Sequence, residues 1–276
     1  MREMTMAEVQ RVSLDVLQEF HDFCVKNDIK YSLSGGSLIG AIRHNGFIPW
    51  DDDVDIQMPR SDYEKLIHLY KSGECFKLCC RELPEYEKKM GYPYARLCDI
   101  KRTYVDMGTK PWIREDIGIW IDILPCDGMP SDMKSAQSHL RHNWLWEKRA
   151  FWSGTKHIPW SYIKKAKNLK EKGKFVVKKF LNLFLWNDSF EKIYRVKTKY
   201  DYNTCDYFFA IPHYGMREWQ PKKNMENFVL HKFEDREFFI MTGYDANLKS
   251  LFGDYMQLPP ENKRISHDFN KYYWKD

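Results

Sequence analysis

Over the first 26 residues, apolar side chains recur at Met6, Val9, Val12, Val16, Leu17, Phe20 and Phe23, close to the 3.6-residue period of a helix. Thr5 followed by Glu8 is a capping-box pattern, so the spacing predicts a helix over 6–26. The period then changes. Residues 29–34 read as a short strand, Gly35-Gly36-Ser37 as a turn, and residues 38–42 as the opening of a helix. Pro49 and Trp50 close the loop that follows, and residues 53–58 alternate polar with apolar, as a strand with one buried face does. Ser61 and Glu64 repeat the capping box, predicting a helix to about Tyr70. Further strands are expected at 76–80, 94–100 and 117–124, the last ended by Pro125.

From Ser131 the pattern turns helical, with Met133, Ala136, Leu140, Trp144 and Leu145 at helical spacing, and it stays basic and aromatic to about Tyr200. Strand-like runs return at 207–211 and 238–241, then a short helix at 246–252, before Leu258-Pro259-Pro260. The alternation of strands and helices places the chain in the mixed α/β (α+β) class, a mixed-sheet core flanked by helices. Three stretches are expected: a core over 1–130, a basic helical segment over 131–205, and a segment over 206–276 that packs back on the core.

With 276 residues, 43% of them hydrophobic, the chain can bury a full core, which excludes disorder and fibrous repeats. The formal charge is only +5, but residues 134–200 hold 17 Lys/Arg against 4 Asp/Glu, so that segment carries +13 and the remainder −8. No stretch approaches the roughly 18 consecutive apolar residues of a spanning helix, and the first residues lack an apolar signal core. Seven cysteines without a CxxC pair suit free thiols in a reducing compartment. The expectation is a cytoplasmic protein.

The chemistry concentrates in residues 33–58, LSGGSLIGAIRHNGFIPWDDDVDIQM. Gly35 and Gly36 permit close backbone approach, and the amides of Gly36, Ser37 and Leu38 at a helix start can bind phosphate oxygens; alone, such a turn is as readily structural. Asp53 and Asp55, two apart on a strand, leave the same face while Val54 and Ile56 point inward. Asp51, Asp52, Asp53 and Asp55 repel one another, and a hard cation such as Mg²⁺ relieves that conflict.

A Gly-Gly-Ser turn, a short helix and Asp-x-Asp on the next strand resemble the nucleotidyltransferase superfamily. At closer range, GGSLIGAIRHNGFIPWDDDVDIQMPRSDYEKL resembles the signature of the LicD family of phosphocholine transferases, relatives of the fukutin-type ribitol-phosphate transferases. Residues 94–103, WIDILPCDG at 120–128 and LFGDYMQLPPENKRISHDF at 251–269 are similar to the same family, with Phe252 where Tyr is expected.

The resemblance implies a nucleotidyltransferase-like core in which Gly35, Gly36 and Ser37 hold donor phosphate. Asp53 and Asp55 would bind Mg²⁺, with Mn²⁺ as a substitute, and Asp51 would be an outer ligand. Asp122, the single charge in its apolar strand, would complete the acidic set and take the acceptor's proton. Arg43, His44 and Trp50 would line the donor site, Arg43 as a phosphate clamp. The implied reaction moves a phosphorylated alcohol, phosphocholine first, from a CDP-activated donor such as CDP-choline to a sugar hydroxyl of a cell-surface glycan or its lipid-linked precursor. The alternatives are nucleotidyl transfer releasing pyrophosphate from an NTP, and a non-catalytic adaptor.

Eight lysines fall within 164–179 and run into Phe180-Leu181-Asn182-Leu183-Phe184-Leu185-Trp186. Two readings stay open: peripheral membrane contact through 164–186 at the inner face of a membrane, or a helical subdomain with solvated lysines and a buried Phe/Leu/Trp face. Nucleic acid is not expected as a partner, because an acidic strand serves catalysis better than strand binding.

Overall fold

The computed structural model describes residues 1–80, 82–83, 92–106, 117–153, 160–166, 168–264 and 271–275. Residues 265–269 of the C-terminal motif and the side chains of 182–186 lie outside the described residues. In chain order the elements are β1 (Arg2–Glu3), α1 (Met6–Lys26), β2 (Ser32–Leu33), α2 (Gly35–His44), β3 (Asp55–Pro59), α3 (Arg60–Leu69) and β4 (Phe76–Cys79). They continue with β5 (Ala95–Asp99), β6 (Thr103–Asp106), β7 (Trp120–Met129), α4 (Met133–Ser153), α5 (Trp160–Lys165) and α6 (Leu169–Lys197). The last are β8 (Tyr207–Phe209), β9 (Gln220–Pro221), β10 (Phe228–Phe233), β11 (Arg236–Met241), α7 (Tyr244–Phe252) and β12 (Lys271–Trp274).

The capping box of α1 forms: the Glu8 amide donates to Thr5 Oγ1 at 3.3 Å, and the Thr5 amide donates to Glu8 Oε2 at 2.9 Å. The expected second capping box does not. Pro59 stands at the N-cap of α3 and the helix begins at Arg60, which leaves Ser61 inside the first turn. Likewise α2 begins at Gly35, so Gly35-Gly36-Ser37 is the first turn of the helix and not a loop before it.

The main sheet runs β2-β3-β7-β5-β4, with β8 and β9 continuing from β7. β3 and β7 are parallel, and β5 is antiparallel to β7. Val54, Ile56, Ile121, Ile123, Ala95 and Leu97 form one core with Val9, Val16, Leu17 and Phe20 of α1. Burial of each large aliphatic is worth about 1.5–3 kcal/mol. Leu124 and Cys126 of β7 join Tyr202, Phe208 and Met225 in a separate cluster, so the C-terminal half closes over the far end of the same strand.

β7 runs straight through Pro125, where a strand end was expected. The Asp122 amide bonds Val54 on the β3 side, so by alternation the missing N–H of Pro125 faces the opposite side. There the β5 ladder has ended at Ile123 and the β8 ladder starts only at Asp127, and no donor is required.

The β10–β11 hairpin and the β1-β12-β6 sheet complete the described strands. In α4, Ala136 and Leu140 are buried, whereas Met133, Trp144 and Leu145 are exposed, so only part of the expected apolar stripe faces inward.

Candidate active site

The register of three strands builds the site. Asp55 of β3 lies opposite Asp122 of β7, and Asp122 lies opposite Arg96 of β5. Register partners leave the same face of a sheet, so two carboxylates and a guanidinium form a row across it. Arg96 Nε donates to Asp122 Oδ1 at 2.6 Å and Nη2 to Oδ2 at 3.4 Å. The guanidinium carbon lies 4.2 Å from the ring centroid of Tyr92 and 4.3 Å from that of Trp120. Rings on the faces and a carboxylate at the edge meet what a buried guanidinium requires.

Asp55 is fixed by its own backbone. Its amide donates to Ser37 Oγ at 3.0 Å, and its carbonyl accepts from the Ser34 amide at 2.9 Å. Ser37 is buried, and its hydroxyl oxygen ties β3 to the start of α2. The glycines make room for the carboxylates: a Cβ at Gly35, whose φ is +51°, would meet Asp55 Oδ2 at 2.9 Å, and one at Gly36 would meet Asp51 Oδ2 at 2.5 Å. Alanine at either position pushes a carboxylate away from the helix start.

The expected alternation holds only as far as Ile56, with Val54 and Ile56 fully buried and Asp53 and Asp55 half-buried; Gln57 is buried too, so from there both faces of β3 are covered, and its ladder begins only at Asp55. Burial, then the charges of Asp53, Asp122 and Asp51, push the Asp55 carboxyl well above the ordinary carboxylate range, with Arg96 opposing.

The remaining expected site residues are used differently. Arg43 Nη1 donates to the carbonyls of Tyr255 at 2.6 Å and Gln257 at 3.3 Å, and Nε donates to His44 Nε2 at 3.0 Å. Arg43 thus ties the segment after α7 to the end of α2 through Nη1, a structural duty beside which its expected role at the donor phosphate stands untested. Burial and then the Arg43 charge lower the pKa of His44. Trp50 packs partly buried against the core, with the Arg264 guanidinium 5.5 Å from its ring centroid.

Two features escaped sequence reasoning. Arg96 had a signal, a cation between apolar residues of an expected strand whose other charge, Asp99, stands at its end. Tyr214, in the 3₁₀ segment Pro212–Glu218, had none; burial and then the Asp55 charge raise its pKa, with Asp53 contributing. Its ring meets Phe252 edge-on, at a centroid distance of 5.7 Å.

The donor set suits a hard divalent cation. Carboxylates of Asp53, Asp55 and Asp122 crowd one edge, and Asp55 shows the resulting repulsion, which Arg96 opposes. Among the described residues no three His, Cys, Asp or Glu side chains form a ready-made metal cage. That partial set fits Mg²⁺, which takes one or two carboxylates and completes its shell with water and substrate phosphates.

A family model described as LicD/FKTN/FKRP, nucleotidyltransferase domain, matches residues 28–151, which include α2, β3, β5 and β7. The chain is 32% identical over 282 residues to the lipopolysaccharide cholinephosphotransferase LicD of Haemophilus influenzae, covering 99% of each protein. It is 35% identical over 68 residues to the human and mouse ribitol 5-phosphate transferase FKRP, a stretch that is 25% of this chain and 12% of that protein. The match along essentially its whole length, together with the glycine helix start and paired aspartates that the model spans, makes this chain a member of the LicD family.

Proposed function

We propose that the protein is a phosphotransferase that moves phosphocholine from CDP-choline to a sugar hydroxyl of a cell-surface glycan or its lipid-linked precursor. The observation that carries this reading is the Asp55–Asp122 row beside the glycine start of α2, in a chain similar end to end to a cholinephosphotransferase. First-turn amides of a helix have no carbonyl within the helix to bond, so those of Gly35, Gly36 and Ser37 are suited to diphosphate oxygens. Asp53 and Asp55 would hold Mg²⁺, with Asp51 behind them. When bound, the ion supplies positive charge against the donor diphosphate.

Asp122 accepts the proton of the incoming hydroxyl through Oδ2, the oxygen held more loosely by Arg96. The hydroxyl oxygen forms a bond to the choline-bearing phosphorus. The bond from that phosphorus to the bridging oxygen breaks, and CMP departs with the electron pair.

Incubation with CDP-choline, Mg²⁺ and a glycan acceptor should release CMP in step with phosphocholine transfer. Asp55→Asn should abolish transfer and leave the thermal melt as high or higher, since a buried repulsion is removed. Pyrophosphate release from CTP, with none of the CDP-choline consumed, would replace this reading with nucleotidyl transfer.

A further inference from the structure

Ile163 of α5 and Ile193 of α6 are buried, but a second set of apolar side chains on these basic helices faces outward. At about 100° per residue, Leu169, Val177, Phe180 and Leu181 of α6 fall within roughly 120° on one side. That side is solvent: Leu169 is 85% exposed, Val177 55% and Phe180 59%. Lys170 is exposed just inside one margin and Lys174 just outside it, with Lys172 half-buried beyond the other. Trp160 of neighbouring α5 is 58% exposed, and Lys179 Nζ lies 4.9 Å from its ring centroid. The residue of this stretch that turns inward is Lys178, 4% exposed. Helices of globular proteins bury the apolar stripe and expose the lysines. Over 169–181 four apolar side chains face solvent while Lys178 is buried and Phe175 and Val176 are half-buried, so this stretch carries an exposed apolar stripe.

Charge identifies the occupant. The segment's +13 would set two copies of this face against each other with like sign, which disfavours self-association. Nucleic acid would satisfy the lysines but meet an aliphatic stripe with no hydrogen-bond donor for phosphate or base. An anionic bilayer satisfies both: headgroups take the marginal lysines, and the acyl boundary takes Leu169, Val177, Phe180, Leu181 and Trp160. We infer that this face of α5 and α6 docks the protein on an anionic membrane surface. The inference stands apart from the donor chemistry, since none of these residues belongs to the acidic site.

The full-length chain should co-sediment with vesicles of phosphatidylcholine plus phosphatidylglycerol, and at least about tenfold less with phosphatidylcholine alone, with binding weakened by salt. Val177→Ser with Phe180→Ser, and separately Lys170→Glu with Lys174→Glu, should each reduce binding about tenfold or more, with unchanged melts because these side chains are exposed. Failure of the unaltered chain to bind phosphatidylglycerol vesicles at low salt would overturn the inference. So would undiminished binding by the Ser variant, or light scattering that shows a dimer which the Ser variant splits.

Discussion

Arg96 is the residue on which the acidic edge depends. It is buried, paired with Asp122 and enclosed by Tyr92 and Trp120, and truncating it leaves a carboxylate uncompensated among like charges. Arg96→Met should lower stability in urea by about 3–5 kcal/mol, and adding Asp122→Leu should restore most of that loss. A double variant no more stable than the single one would show that the pair is not the source.

Glu218 gives a pH signature. Burial pushes its carboxyl up to about 7, only partly opposed by the amides of Ala210 and Ile211. Below its ordinary value near 4.5, the group is protonated in both folded and unfolded chains. Between 4.5 and 7 the folded protein keeps the proton that the unfolded chain releases, so stability falls as pH rises, by a total on the order of 3 kcal/mol. Melts of Glu218→Gln against the unaltered chain across that window should diverge steadily, the variant becoming relatively more stable toward neutral pH.

At the scale of elements, a local signal held where no neighbouring residue overrode it, and non-local pairings were not legible. The bounds of α1 follow from a cap and a period that need nothing beyond residues 5–26, and Thr5→Ala should cost about 0.5–2 kcal/mol, read as a lower melting midpoint. The Ser61/Glu64 pattern has the same composition but sits two positions past the N-cap, because Pro59 already sets the entry to α3. Short strands such as β1, β6 and β12 were not legible, since each exists only through partners more than a hundred residues away or through the others. The Asp53/Asp55 alternation could be read directly, whereas the Asp55–Asp122–Arg96 row is a property of register, which no single strand encodes. Arg43, a cation in the right motif, spends its Nη1 donors on carbonyls contributed from more than two hundred residues on, a use that its own neighbourhood in the sequence does not signal.

For the molecule as a whole, the modest net charge conceals a division between an acidic sheet edge, proposed above to gather a cation and an anionic donor, and a basic helical face, proposed above to meet a surface of opposite sign. The parallel pairing of β3 with β7 also governs when the site comes into being. Its two carboxylates are separated by 67 positions, and every strand from β4 to β6 lies within the intervening loop. Closing such a loop costs chain entropy before any contact rewards it, so this ladder forms late relative to α1 and the other helices. On dilution from denaturant, the far-ultraviolet helical signal should recover in an early phase and transferase activity in a later one; coincident recovery would show that the crossover is already closed in the early species. In that order of events the like charges are brought together last, and their repulsion is met only once the surrounding core is able to hold them.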